Sequence, residues 1–122
     1  MLFTLLLWII NLSMGGAVKN NKAIKEMMAI RNLTFVIMTR DGKRGRRFIF
    51  KDGKYSSDKV LKDYTMAFVW KDANTAFKTL AFGGANGLSD AMNNWSMKIA
   101  GDAGWFNFFG VLLLVSLGQM KR

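Results

Sequence analysis

The 122-residue sequence contains no cysteine, no histidine and no proline. Without cysteine there is no disulfide framework, no thiolate nucleophile and no thiolate metal site. Without histidine the usual general base near neutral pH and the commonest metal ligand are both missing. Without proline there is no Pro-rich linker. Charge is missing from both ends, since residues 1–18 and 103–120 hold no Lys, Arg, Asp or Glu. Acidic residues are scarce as well, 8 Asp and Glu against 18 Lys and Arg, which leaves a net charge of +10. No paired carboxylates and no Ser-base arrangement stand out. Gly83-Gly84 followed by Gly87 lacks the Lys-Ser/Thr of a phosphate loop and reads as a helix stop. The expectation is a protein that is not an enzyme and carries neither metal nor cofactor.

What is present is apolar and unevenly placed. Residues 91–118 read AMNNWSMKIAGDAGWFNFFGVLLLVSLG. Trp95, Met97 and Ile99 alternate with Ser96, Lys98 and Ala100, the period of a half-buried strand, and Gly101-Asp102 stops it. From Trp105 to Leu117 almost no polar face remains. A helix apolar all round needs apolar surroundings on every side, and so short a chain supplies few of them. A lipid ligand or a membrane is therefore expected against this segment. Residues 1–14, MLFTLLLWIINLSM, lack the positive start and cleavage site of a secretory signal. The run breaks at Gly15-Gly16, short of the roughly 20 apolar residues that span a bilayer. It reads as a buried or interfacial helix, with a membrane anchor as the second reading. Residues 17–30 read as another helix, with Ala23, Ile24, Met27, Met28 and Ile30 on one side and Lys19, Lys22, Lys25 and Glu26 toward solvent.

The middle reads as antiparallel sheet. Residues 33–38 form a strand rich in β-branched and aromatic residues. RDGKRGRR at 40–47 is a hairpin connection, 47–51 the returning strand, Asp52-Gly53 the next turn, and a short strand lies near Tyr55. In the strand 64–70, Tyr64, Met66, Phe68 and Trp70 share one face. Asp72 caps a helix over 73–82 that places Ala73, Ala76, Phe77 and Leu80 at helical spacing. A short helix near 88–94 precedes the final strand, and Asp90 and Asp102 also read as caps. The order is an α+β layout with helices on one face of a sheet. All 122 residues are expected to form one domain, with 1–18 as an apolar N-terminal helix that can also act as a membrane-interacting extension.

This order, carried by three segments, resembles the sterol carrier protein-2 (SCP2-like) sterol-transfer domain family. FIFKDGK at 48–54 is similar to the family's strand ending in a Asp-Gly-Lys turn. DYTMAFVWKDANTAFKTLAFGG at 63–84 is similar to its strand, acidic cap, helix and Gly block. AMNNWSMKIAGD at 91–102 is similar to its last strand, with Lys98, Ile99, Gly101 and Asp102 in matching positions and Trp95 where the family has Gly. The resemblance spans about residues 30–115. It implies a five-stranded, mostly antiparallel sheet covered by helices that enclose an apolar lipid tunnel. It also implies a sterol, fatty acyl or isoprenoid ligand, and some members are accessory lipid-binding factors in isoprenoid quinone synthesis. The Ser-Lys-Leu-type address of peroxisomal members is absent from Gln119-Met120-Lys121-Arg122, and a cytoplasmic protein, peripheral to a membrane, is the expectation.

On this reading the lipid site is lined by Phe48, Phe50, Met66, Phe68, Trp70, Phe77, Leu80, Trp95, Met97, Ile99, Trp105, Phe106, Phe109, Leu112 and Leu113. The same side chains also suit an ordinary core. Nine Met, ten Phe and four Trp favour an adaptable cavity. Each buried CH₂ contributes about 0.8 kcal/mol, so an acyl chain needs no polar recognition and leaves no motif. Arg40, Lys43, Arg44, Arg46 and Arg47 form a basic cluster. It is either a solvated hairpin tip or a surface for anionic membrane. Nucleic acid fits less well, because the aromatics are not interleaved with the arginines as a stacking platform requires. Two readings stand: a lipid carrier with its ligand between the sheet and residues 103–118, or a basic protein anchored in a membrane by its apolar ends.

Overall fold

A computed structural model describes residues 2–20, 26, 32–51, 54–83, 87–106, 108–110 and 113. Helix α1 spans Leu2–Asn20. Five strands follow, β1 Leu33–Thr39, β2 Gly45–Lys51, β3 Lys54–Asp58, β4 Met66–Trp70 and β5 Met97–Gly101. Between β4 and β5 lie α2, Ala73–Phe82, and α3, Gly87–Asn93. A 3₁₀ turn, Ala103–Trp105, leads into helical residues at 106, 108–110 and 113.

The strands form one sheet in the order β3-β2-β1-β4-β5. It is mostly antiparallel, as expected, but β1 and β4 pair in parallel. The chain leaves the edge strand β3 and crosses two strands before it re-enters beside β1. Parallel neighbours require such a crossover, which no short-range sequence signal announces. Arg47 clamps it. Its guanidinium forms a salt bridge to Asp58 Oδ2 at 2.7 Å and donates from Nη1 to the Lys62 carbonyl at 3.0 Å. Leu61 presses on the outer side of the sheet at Gly45. A Cβ there would stand 2.6 Å from the Ile37 carbonyl oxygen and 2.8 Å from Leu61 Cδ2.

Helix α1 runs straight through Gly15-Gly16, where the sequence reading ended it. Each interior glycine costs about 1 kcal/mol relative to alanine. Phe3, Leu6, Leu7, Ile10 and Met14 are buried along one side, and each contributes about 1.5–3 kcal/mol. Burial outweighs the glycine penalty. Of the second predicted helix, residues up to Asn20 belong to α1, and Ala23, Ile24, Met27, Met28 and Ile30 lie outside the described residues. The Asp52-Gly53 turn lies outside them too. Asp72 caps α2 as expected, its Oδ1 accepting the Thr75 N–H at 2.6 Å. Asp102 caps the 3₁₀ turn through Gly104 N at 3.0 Å. Asp90 is not a cap. It stands inside the first turn of α3, where its side chain lies past the N-cap position. Among the described residues, no helix is long and apolar enough to cross a membrane.

Candidate functional site: the inner face of the sheet

Strand register gathers one apolar surface from four strands. Phe35 stands opposite Phe48 on one side and Met66 on the other. Ile37 is beside Phe68, Thr39 beside Trp70, and Trp70 beside Met97. Because side chains alternate across a strand, these residues share one face, and all of them are buried. The inward side of α1 and the buried Ala76 and Leu80 of α2 belong to the same core.

The C-terminal aromatic segment closes over the centre of this face. Phe109 is fully buried. Its ring stacks on Phe35 with centroids 4.2 Å apart and planes 9° apart. It also meets Phe68 at 5.1 Å and Phe48 at 6.3 Å. Phe106 lies 5.8 Å from Phe68, and Phe108 lies 6.1 Å from Phe35 and 5.9 Å from Trp105. The space expected to hold the ligand, between the sheet and residues 103–118, is thus occupied at its centre by the Phe109 ring.

Two polar groups are set into this surface. Tyr55 packs on Phe50, with centroids 5.3 Å apart, and its hydroxyl donates to Asn11 Oδ1 at 2.6 Å. That bond ties α1 to β3. Burial pushes the Tyr55 hydroxyl up to about 12, since desolvation disfavours the phenolate. Trp70 is different. It has no exposed surface, and its Nε1–H is the one buried side-chain polar group without a hydrogen-bond partner among the described residues. A buried donor left unmade costs about 1–3 kcal/mol, and such groups are rare in native folds.

The structure brings Phe48, Phe50, Met66, Phe68, Trp70, Leu80, Met97, Phe109 and Leu113 into the buried core, with Phe77, Ile99, Trp105 and Phe106 half-buried against it. Trp95 does not join them. It precedes β5 in a turn and is 72 % exposed, with a left-handed backbone at φ 65°. The strand therefore begins at Met97, and the alternation that includes Trp95 fails because that turn rotates it outward. A left-handed backbone favours glycine, so Trp95 holds a strained turn position. Leu112 lies outside the described residues.

The basic cluster divides. Arg40, Lys43 and Arg44 are exposed in the β1–β2 connection. Asp41 shapes that loop by accepting from Thr39 Oγ1 at 2.6 Å and from Lys43 N at 3.0 Å. These bonds hold its carboxyl below the usual carboxylate range. Arg46 is half-buried, its Nε donating to Ser57 Oγ at 2.7 Å. Arg47 is engaged by Asp58, which in turn is held below its ordinary carboxylate value by that guanidinium. Among the described residues no three acidic side chains gather as a metal site would need.

Sequence reasoning missed Phe35, the residue on which Phe109 stacks, and the α1 side chains Phe3, Ile10 and Met14. Phe35 was legible in the alternation Leu33, Phe35, Ile37. The α1 set was legible as positions 3, 6, 7, 10 and 14, but a largely apolar opposite side masks that period.

No protein-family model and no curated protein matches the sequence. Among solved structures, the chain is similar to a "UbiJ-SCP2 Ubiquinone synthesis protein". The TM-score is 0.60 at 10 % identity, over 84 % of this chain and 87 % of that one. At this identity the likeness is one of fold, and the chain has an SCP2-like fold. The fold agrees with the resemblance carried by residues 48–54, 63–84 and 91–102.

Proposed function

We propose that this protein is a lipid-binding accessory protein that holds an isoprenoid quinone or a precursor of one against the inner face of its sheet. The observation that carries this reading is the continuous apolar surface of Phe35, Phe48, Met66, Phe68 and Met97, covered at its centre by the Phe109 ring. The isoprenoid tail would replace the Phe109 ring over Phe35 and Phe68. Burial of about 0.8 kcal/mol per CH₂ supplies the affinity without specific recognition of the chain. The unpartnered Trp70 Nε1–H supports an oxygen-bearing head, because a carbonyl or hydroxyl oxygen placed there would satisfy a donor that the free protein leaves unmade. The neighbour's role in ubiquinone synthesis supports a quinone-type head over a sterol or a plain fatty acyl chain. Residues 1–122 act as one unit on this reading, and the protein presents its lipid to other enzymes instead of transforming it.

Native mass spectrometry of the purified protein, followed by organic extraction, tests the proposal. One mole of an isoprenoid lipid per mole of protein is the expected result. Recovery of the protein free of lipid, with no uptake of added short-chain quinone, would overturn it.

A further inference from the structure

The outward side of α1 is largely apolar and carries no charge, with Thr4 as its exposed polar residue. Leu5, Trp8, Ile9 and Leu12 are 52 %, 53 %, 43 % and 57 % exposed. Their spacing of three, one and three residues makes one continuous stripe along the helix. A helix whose outer side faces only water would carry charges at these positions, yet residues 1–18 carry none. Leu5 and Trp8 also share an open groove of about 490 Å³ with Arg44, Arg46 and Lys59. The stripe therefore has a cationic flank contributed by β2 and the loops that precede β2 and follow β3, and among the described residues no acidic side chain lines that groove.

We propose that this stripe and its flank dock the protein on an anionic phospholipid bilayer. Helix α1 would lie in the plane of the interface, Leu5, Ile9 and Leu12 entering the acyl boundary and Trp8 resting at headgroup depth. Arg44 and Lys59 would stand over the phosphates. The helix lies on the membrane and does not cross it, because Phe3, Leu6, Leu7, Ile10 and Met14 are committed to the core. Charge selects this occupant. A second copy of the chain would bring its own +10 and the same cations against the groove. A neutral surface would leave Arg44 and Lys59 without counter-charges. The docking surface is separate from the sheet face and does not depend on what lipid that face holds.

Co-sedimentation of the full chain with vesicles tests this. Phosphatidylcholine vesicles containing phosphatidylglycerol are expected to retain the protein, and phosphatidylcholine alone to retain much less. Arg44→Gln with Lys59→Gln should weaken retention on the anionic vesicles about 25-fold, at roughly fivefold per basic residue. Trp8→Ala with Leu12→Ala should weaken it about tenfold or more through lost apolar burial. Phe82→Ala removes an equally prominent aromatic, 78 % exposed, and should change nothing. All of these side chains are surface groups, and unchanged thermal unfolding would show that each variant folds. Three results would overturn the proposal: no retention on anionic vesicles, retention indifferent to Trp8 and Leu12, or a dimer in sedimentation equilibrium that Trp8→Ala dissolves.

Discussion

If Phe109 fills the volume that a lipid tail takes, shortening it should weaken the fold and strengthen the binding. Phe109→Ala removes a fully buried ring that stacks on Phe35 at 4.2 Å and touches Phe68 at 5.1 Å. Large-to-small changes of this kind cost about 3–5 kcal/mol. Aromatic pairs contribute about 0.5–1.5 kcal/mol beyond their area, so the upper part of that range is expected. A small domain is stable by only about 5–15 kcal/mol, and Phe109→Leu is a milder companion variant at about 1–2 kcal/mol. Urea unfolding in the absence of lipid measures this loss as a lower midpoint at constant slope. The same titration with added short-chain isoprenoid quinone measures the gain. The wild-type protein must expel the ring before the tail enters, whereas the alanine variant has already lost it. Recovering even half of the cavity cost would tighten lipid binding about tenfold or more, since 1.4 kcal/mol is tenfold. Weaker or unchanged quinone affinity in both variants, with normal unfolding slopes, would refute a shared volume and make Phe109 a fixed wall.

Three further outcomes are expected. Trp70→Phe should lower affinity for a quinone about fivefold while leaving a hydrocarbon of equal length unaffected, because one hydrogen bond contributes about 0.5–1.5 kcal/mol; isothermal titration with both ligands checks this, and equal losses would exclude a head-group contact. Gly101→Ala should destabilise by about 2 kcal/mol or more, since φ there is +81° and a Cβ would lie 2.5 Å from the Thr65 carbonyl oxygen; a thermal midpoint within error of wild type would contradict that close approach. Tyr55, raised from 10.0 to about 12 by burial, holds its proton more tightly folded than unfolded, so the stability it contributes is whole below pH 10 and lost as pH rises toward 12. Chemical unfolding across that range should show a steeper alkaline decline in wild type than in Tyr55→Phe, and parallel curves would mean that the hydroxyl is not buried.

Most of the strands, helix α2 and two of the caps are legible in the order of the residues alone. Alternation in 33–39 and 66–70 set which side chains face inward, Asp72 and Asp102 marked their caps, and the lack of Cys and His removed the usual nucleophile, base and metal ligands. These are local properties, written in neighbouring residues at periods of 2 and 3.6. The remaining features depend on contacts between segments distant in the chain. The parallel pairing of β1 with β4 depends on a crossover pinned by Arg47 and Asp58, and such long-range pairing leaves no local pattern. The continuation of α1 through Gly15-Gly16 followed from burial of Phe3, Ile10 and Met14 against a sheet formed elsewhere in the chain. The split of the basic cluster was hidden as well. Arg44 and Arg47 look alike in sequence, but Arg44 falls in the exposed β1–β2 connection, whereas Arg47 lies in β2 opposite Asp58, which locks it to the fold. The seating of Phe109 on Phe35, 74 residues away in the chain, needed the assembled sheet, because only there do β1, β2 and β4 supply Phe35, Phe48 and Phe68 as one face for a single ring to cover.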